Sequence, residues 1–212
     1  RLNLNLMVRQ DWVDGLASPI IPFFGFDYKI FKNRDLLLKG NIARNYHQPT
    51  LNDLYWQPGG NPDLLPEQGQ SVELGLQYLT KFYNHYVEAE VTGFHSIIDH
   101  WIIWIPTYKG YWEPHNIKQV LSKGVEVQLV AKGNFNRWAY HVSGTYAFTR
   151  SINYGDPLVW GDNSYGKQLV YTPLHSGNAM VRLSHSGYHI TWQHISYSER
   201  FTTSSNDVSR RD

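Results

Sequence analysis

Apolar and polar side chains alternate with a period of two along most of this chain, a pattern that predicts β-strands with one greasy and one wet face. Residues 1–9 set Leu2, Leu4, Leu6 and Val8 against Asn3, Asn5, Met7 and Arg9. Phe24, Phe26, Tyr28 and Ile30 oppose Gly25, Asp27 and Lys29, and the chain returns with Leu38, Gly40 and Ile42 against Lys39, Asn41 and Asn45. Val72, Leu74, Leu76 and Tyr78 then face away from Ser71, Glu73, Gly75 and Gln77. Residues 86–105 are long enough for one extended strand, with Val87, Ala89 and Val91 opposite Glu88, Glu90 and Thr92 and a kink expected near Asp99 and His100. Val125, Val127, Leu129 and Ala131 alternate with Glu126, Gln128 and Lys132.

The clearest strand covers residues 137–149, with Trp138, Tyr140, Val142, Gly144, Tyr146 and Phe148 on one side. His141, Ser143, Thr145 and Thr149 occupy the other. At roughly 3.3 Å per residue it reaches about 40 Å, enough for a tilted strand to cross a bilayer. Ala179, Val181 and Leu183 follow, then Tyr188, Ile190 and Trp192, after which the apolar set shifts to Ile195 and Tyr197 and predicts a bulge near His194.

Nine strands result, and their connections fall into two kinds. Short turns are expected at residues 32–35, 81–84, 133–136 and 185–187, alternating with long loops after Gln10, Asn45, Ile105 and Arg150, the third spanning residues 107–116. An up-and-down meander collects every short turn at one end and every long loop at the other, the asymmetry of outer-membrane barrels. The expected fold is therefore all-β, an antiparallel up-and-down meander forming part of a transmembrane β-barrel. A soluble antiparallel sheet also alternates, because one face packs and the other is wet. Strand length and one-sided loops argue against it here. Lys39, Glu73, Glu88, Glu90, Glu126, Arg137 and Arg182 suit a hydrated lumen, since a charge facing lipid costs about 2–4 kcal/mol near the midplane.

One stretch breaks the alternation. In residues 44–78, Thr50 followed by Asp53 has the form of a capping box and predicts a short helical turn. Pro58-Gly59-Gly60-Asn61-Pro62-Asp63 then concentrates turn formers, so no helix continues, and a strand leaves the loop at Ser71. The order Pro-Thr-Leu-Asn-Asp-Leu-Tyr (49–55), Gly-Asn-Pro-Asp-Leu-Leu-Pro-Glu (60–67) and Glu-Leu-Gly-Leu-Gln-Tyr (73–78) resembles the barrel signature of TonB-dependent outer-membrane receptors. Typical members carry Lys where this chain has Leu65. Residues 168–178, with Gln168, Tyr171, Pro173 and Gly177, and residues 198–203 are similar to the cobalamin-receptor-like branch of Bacteroides-type bacteria.

The resemblance implies an outer-membrane receptor that takes up a scarce nutrient, such as cobalamin or an iron-siderophore complex, using energy delivered by TonB to an N-terminal plug. It implies contact with outer-membrane lipid and no catalysis. Residues 1–212 would form a fragment of the C-terminal barrel, with the plug and the closing strands absent, because Arg1 begins directly in a strand without an initiator Met or a secretory segment. Family barrels have about 22 strands.

Composition narrows the alternatives. A net charge of +1 creates no field to recruit nucleic acid, and the absence of cysteine removes disulfides, thiolate metal sites and thiol nucleophiles. No apolar run is long enough for a membrane-spanning helix. Ten histidines show no His-Glu-x-x-His spacing, and no Gly-x-Ser-x-Gly elbow orders the Ser and Asp residues, so neither a metal site nor a catalytic site is expected, and no cofactor. Aromatic residues make up 15% of the chain, with 15 Tyr and 8 Trp, a content that suits strands and interfacial belts. Tyr108, Tyr111, Trp112, Tyr154, Trp160 and Tyr165 fall in the long loops and are the candidate ligand-binding residues; packing within the loops or an interfacial belt is the competing role. A secreted or surface carbohydrate-binding module using the same aromatics is the alternative to a receptor.

Overall fold

The computed structural model describes residues 1–13, 15–155 and 163–210. In chain order the elements are β1 (Leu2–Arg9), β2 (Trp12–Val13), β3 (Leu16–Ala17), β4 (Ile21–Lys29), β5 (Asp35–His47), α1 (Leu51–Tyr55), β6 (Glu67–Phe82) and β7 (His85–Pro106). They continue with β8 (Trp112–Phe135), β9 (Trp138–Asn153), β10 (His175–His185), β11 (Tyr188–Tyr197), β12 (Arg200–Phe201) and β13 (Ser209–Arg210). Nine of the strands form one sheet in the order β1-β4-β5-β6-β7-β8-β9-β10-β11, every neighbouring pair antiparallel, while β2–β3 and β12–β13 are small ribbons. Sequence neighbours are sheet neighbours throughout, so the expected meander holds. Strands β1 and β11 pair on one side only and the sheet does not close.

Register sorts the side chains as the period of two requires. Leu38 sits opposite Leu76, Leu76 opposite Val91, Val91 opposite Val127, Val127 opposite Tyr146. This apolar face is covered by no second protein layer among the described residues: Leu74 is 56% exposed and Ile190 70%. At about 25 cal/mol per Å² such a surface is unfavourable in water, so the sheet needs an apolar environment outside it. On the other face Lys39 reaches past Gly75 to both carboxylate oxygens of Glu90 at 3.0 Å. A Cβ at Gly75 would meet Thr92 Oγ1 at 2.6 Å, so glycine keeps that strand-crossing path open. Asn41 donates to Glu73 at 2.9 Å and Gln77 to Glu88 at 2.7 Å, leaving a polar, hydrogen-bonded wall.

Turns and loops separate to opposite ends. Phe82 pairs with His85, Phe135 with Trp138 and His185 with Tyr188, each closing a two-residue turn, and residues 30–34 make the fourth short connection. Ser186 (φ 46°) and Gly187 (φ 86°) both take the left-handed conformation of a type I′ turn, whose twist matches that of the strands.

The structure corrects several boundaries. The third short turn is at residues 136–137, because β8 continues through Phe135; Asn136 supplies the positive φ (53°), a role Asn accepts more readily than most residues. The loop expected over residues 107–116 is confined to 107–111, since β8 starts at Trp112. β9 extends to Asn153, and β6 begins at Glu67 instead of Ser71. No bulge interrupts β11: its pairing with β10 is continuous from Ser176 opposite Tyr197 to His185 opposite Tyr188. Ile195 and Tyr197 instead belong to the otherwise polar face, where they line a recess with Glu90, Glu126, Thr145 and Asn178.

The kink expected at Asp99 and His100 falls on His100, whose φ is 58°. It marks a change of environment. β6 pairs with β7 only as far as Asp99 and β9 with β8 only as far as Val120, so beyond these points the two central strands project past the sheet as a two-stranded hairpin.

Candidate functional site

The long-loop end is assembled on that projecting hairpin. The capping box forms as the sequence predicts: Thr50 caps α1, Asp53 N donates to Thr50 Oγ1 at 3.2 Å, and the Asp53 carboxylate accepts from Thr50 N at 2.8 Å and from its hydroxyl at 2.6 Å. The same carboxylate accepts the Trp104 indole N–H at 2.9 Å, tying the helical turn to β7. Burial raises the Asp53 pKa, but the hydrogen bonds from Thr50 and Trp104 and the nearby His47 outweigh it and hold the carboxyl below its ordinary value.

Further along the loop, Asn61 donates to Pro114 O at 3.2 Å. Asn116 Oδ1 accepts from Leu65 N at 2.8 Å while its Nδ2 donates to Leu65 O at 3.0 Å and His100 O at 2.7 Å, so one side-chain amide takes the place of a neighbouring strand. Glu67 Oε1 accepts from Ile102 N at 2.7 Å. A Cβ on Gly59 would stand 2.0 Å from Trp112 O, so only glycine permits this approach of loop to hairpin. Without these bonds the backbone beyond His100 would lack partners on its outer edges.

At the tip, Tyr108 is 95% exposed. Lys109 Nζ lies 5.8 Å from the Tyr108 ring centre and 5.7 Å from that of Tyr111, and donates to the Tyr111 hydroxyl at 3.3 Å. That bond, together with Tyr111 and Glu113 charge, raises the Lys109 pKa. Trp112 begins β8 and is half exposed.

A second cluster caps β8 and β9. Val120, Ile152 and Leu169 are buried together with Ser151, Asn153 and Gln168. Ser151 N donates to Gln168 Oε1 at 3.0 Å, and Gln168 and Asn206 exchange bonds, Gln168 N to Asn206 Oδ1 at 2.8 Å and Asn206 Nδ2 to Gln168 O at 2.9 Å. Tyr154 and Tyr165 meet edge to face at 5.7 Å.

The structure thus groups Tyr108, Tyr111 and Trp112 at the hairpin tip and Tyr154 with Tyr165 on the other loop; among the described residues no ring contact joins the groups, and Trp160 lies outside the described residues. Sequence reasoning missed Asn116, Gln168 and Asn206 as organisers of this end. No local pattern marks them, because each bonds to backbone far along the chain. Among the described residues no group of three or more His, Asp or Glu is placed to hold a metal ion.

A nine-stranded antiparallel meander with one apolar and one polar face, short turns at one end and long buttressed loops at the other, describes a segment of barrel wall. The chain belongs to the TonB dependent receptor-like, beta-barrel family, which matches residues 1–212. Among its relatives is the vitamin B12 transporter BtuB of Vibrio vulnificus strain YJ016, 31% identical over 126 residues, covering 59% of this chain and 18% of that protein. The vitamin B12 transporter BtuB of Photobacterium profundum is 32% identical over 97 residues, 44% of this chain and 15% of that protein. Of solved structures, the copper transporter OprC superposes with a TM-score of 0.64 at 13% identity, over 87% of this chain and 27% of that one. The RagAB peptide importer does so with a TM-score of 0.64 at 15% identity, over 92% and 31%. These structures share the fold, and the chain spans less than a third of each. The family is one of outer-membrane receptors and transporters, and the chain spans less than a fifth of each of these two curated relatives.

Proposed function

We propose that this chain forms part of the C-terminal barrel wall of an outer-membrane receptor for TonB-dependent uptake of a scarce nutrient, with cobalamin the first candidate and iron-siderophore complexes the second. The match of the barrel family along residues 1–212 carries the reading. Cobalamin is favoured because two relatives above 30% identity are vitamin B12 transporters, whereas the two solved structures, named for copper and peptide transport, are 13–15% identical and speak only to the fold.

In this reading the apolar face meets lipid and the polar wall around Lys39 and Glu90 lines the lumen. The buttressed hairpin and the loop bearing Tyr154 and Tyr165 present rigid aromatic rings to a solute arriving from outside, with Tyr108, Tyr111 and Trp112 as first contacts. The plug and its engagement by TonB belong to the rest of the receptor. A soluble carbohydrate-binding module finds no support in a sheet whose apolar face, among the described residues, leaves Leu74 56% and Ile190 70% exposed.

The test is complementation. The complete receptor, expressed in a Gram-negative strain lacking its own vitamin B12 transporter, should restore uptake of radiolabelled cobalamin, and deletion of tonB should abolish it. Saturable binding of a ferric siderophore with none of cobalamin would replace the first candidate by the second; binding of neither would overturn the reading.

A further inference from the structure

We propose that the long-loop end carries a phosphate-binding site formed by Arg200 and Arg210. In the β12–β13 ribbon these two residues are directly opposite each other, so both side chains leave the same face of a two-residue pairing. Like charges opposite each other on neighbouring strands repel and destabilise the pair. The ribbon nevertheless forms, held by Thr202 N donating to Val208 O at 2.9 Å and by Ser209 Oγ donating to Glu199 Oε2 at 3.0 Å. Arg200 is half-buried and Arg210 exposed, and with Tyr171 and Thr202 they line a cavity of about 280 Å³.

Tyr171 is fixed there by its backbone, its N–H donating to Phe201 O at 2.8 Å and its φ held at 58°, a conformation uncommon for a non-glycine residue. The ribbon is anchored in turn, because Asn206 between its strands exchanges hydrogen bonds with Gln168 of the buried cluster. Two guanidinium forks beside Tyr171 match the donor needs of a phosphate group, which accepts paired N–H donors, while the Thr202 hydroxyl is committed to Val208 O at 3.3 Å. Arg200 also holds a partner of its own, but a guanidinium offers five N–H donors and one partner does not use them all.

The shared chemistry has two sources at this end of a receptor: a phosphodiester carried by the solute, or a phosphate of an outer-leaflet lipid headgroup. Assignment to the solute rests on the function proposed above; the site itself does not. The complete receptor in detergent at low salt is titrated with pyrophosphate by calorimetry, in its native form and as R200Q, R210Q and the double R200K/R210K variant, folding being checked by heat-dependent gel migration. Saturable binding weakened at least tenfold by either Gln substitution and partly kept by the Lys pair is expected; binding unchanged by both Gln substitutions overturns the site. Two further titrations name the source. If the Gln variants lose affinity for cobalamin and keep it for cobinamide, which lacks the phosphodiester, the site serves the solute. If they lose affinity for diphosphoryl lipid A and not for its dephosphorylated form, it serves the lipid. A native receptor that binds pyrophosphate and no cobalamin refutes the proposed substrate and leaves the site standing.

Discussion

Trp104 donates its indole N–H to Asp53 Oδ1 across 2.9 Å, joining a strand to a helical turn 51 residues earlier. One carboxylate therefore completes the cap of α1 and fastens the loop bearing it to the projecting hairpin. The capping half of that bond is visible in the sequence; the fastening half is not.

Replacing Asp53 by Ala removes the acceptor for Thr50 and Trp104 together. Hydrogen bonds to a charged group are worth about 1.5–3 kcal/mol each, and the half-buried indole N–H of Trp104 loses its partner. Residues 48–66 should detach while the sheet stays folded. In the complete receptor, chymotrypsin should cut this loop at least tenfold faster in D53A, with unchanged heat-dependent gel migration. An unchanged cutting rate would show that Asn61, Leu65 and Glu67 hold the loop without it.

The same bond sets an acid limit. The Asp53 pKa is lowered from 3.8 in the folded state, so its ionised form binds the loop more tightly than its protonated form does. The stabilisation is complete above 3.8 and is lost as the pH falls through the lower, folded value. Pepsin, active in acid, should therefore leave residues 48–66 intact at pH 4.5 and cut them increasingly below the ordinary carboxylate range. In D53N the rate should show no such rise beyond pepsin's own profile.

Two glycines in adjacent strands should behave oppositely. A Cβ at Gly124 would stand 2.0 Å from Phe148 O and 2.7 Å from the Phe94 ring, whereas at Gly93 the nearest atom is Leu74 O at 3.9 Å. Gly124→Ala should destabilise the barrel by about 1–3 kcal/mol, the usual cost of overpacking. Gly93→Ala should change stability by less than about 0.5 kcal/mol. Urea unfolding of the refolded receptor, followed by gel migration, measures both.

The assignment of faces is checked with nitroxide labels in the complete receptor in lipid bilayers. Labels at Tyr140 and Tyr146 should be relaxed by oxygen dissolved in lipid, and labels at His141 and Thr145 by a water-soluble nickel complex. Interchanged accessibilities would reverse the inside and outside of the wall.

At the hairpin tip, Tyr108 is 95% exposed and supports no packing, so Tyr108→Ala should leave folding unchanged. Equilibrium titration of the complete receptor should show roughly two- to tenfold weaker cobalamin binding, in keeping with the 0.5–1.5 kcal/mol that a stacked aromatic contributes. Tyr154→Ala tests the second group, whose edge-to-face partner is Tyr165. Unaltered affinity in both would remove these rings from the binding surface.

The sequence by itself determined the meander, the two faces and the segregation of turns from loops. Each follows from a local rule: side chains alternate along any strand, and a connection's length limits what it can join. The Thr50–Asp53 cap was equally legible, because its partners are three residues apart. Boundaries shifted where a strand continued through residues that read as turn or loop, as at Gly133 and Trp112, since pairing with the next strand supplied hydrogen bonds that composition cannot reveal. The apolar Ile195 and Tyr197 suggested a bulge, yet continuous pairing with β10 kept the register and placed them on the polar wall. Tertiary structure alone decided how residues 44–78 are used. The stretch that names the family is a buttress, because Asn116, Pro114, Ile102 and Trp104 come within hydrogen-bonding distance of it only when two strands rise beyond the sheet and leave their edges without partners.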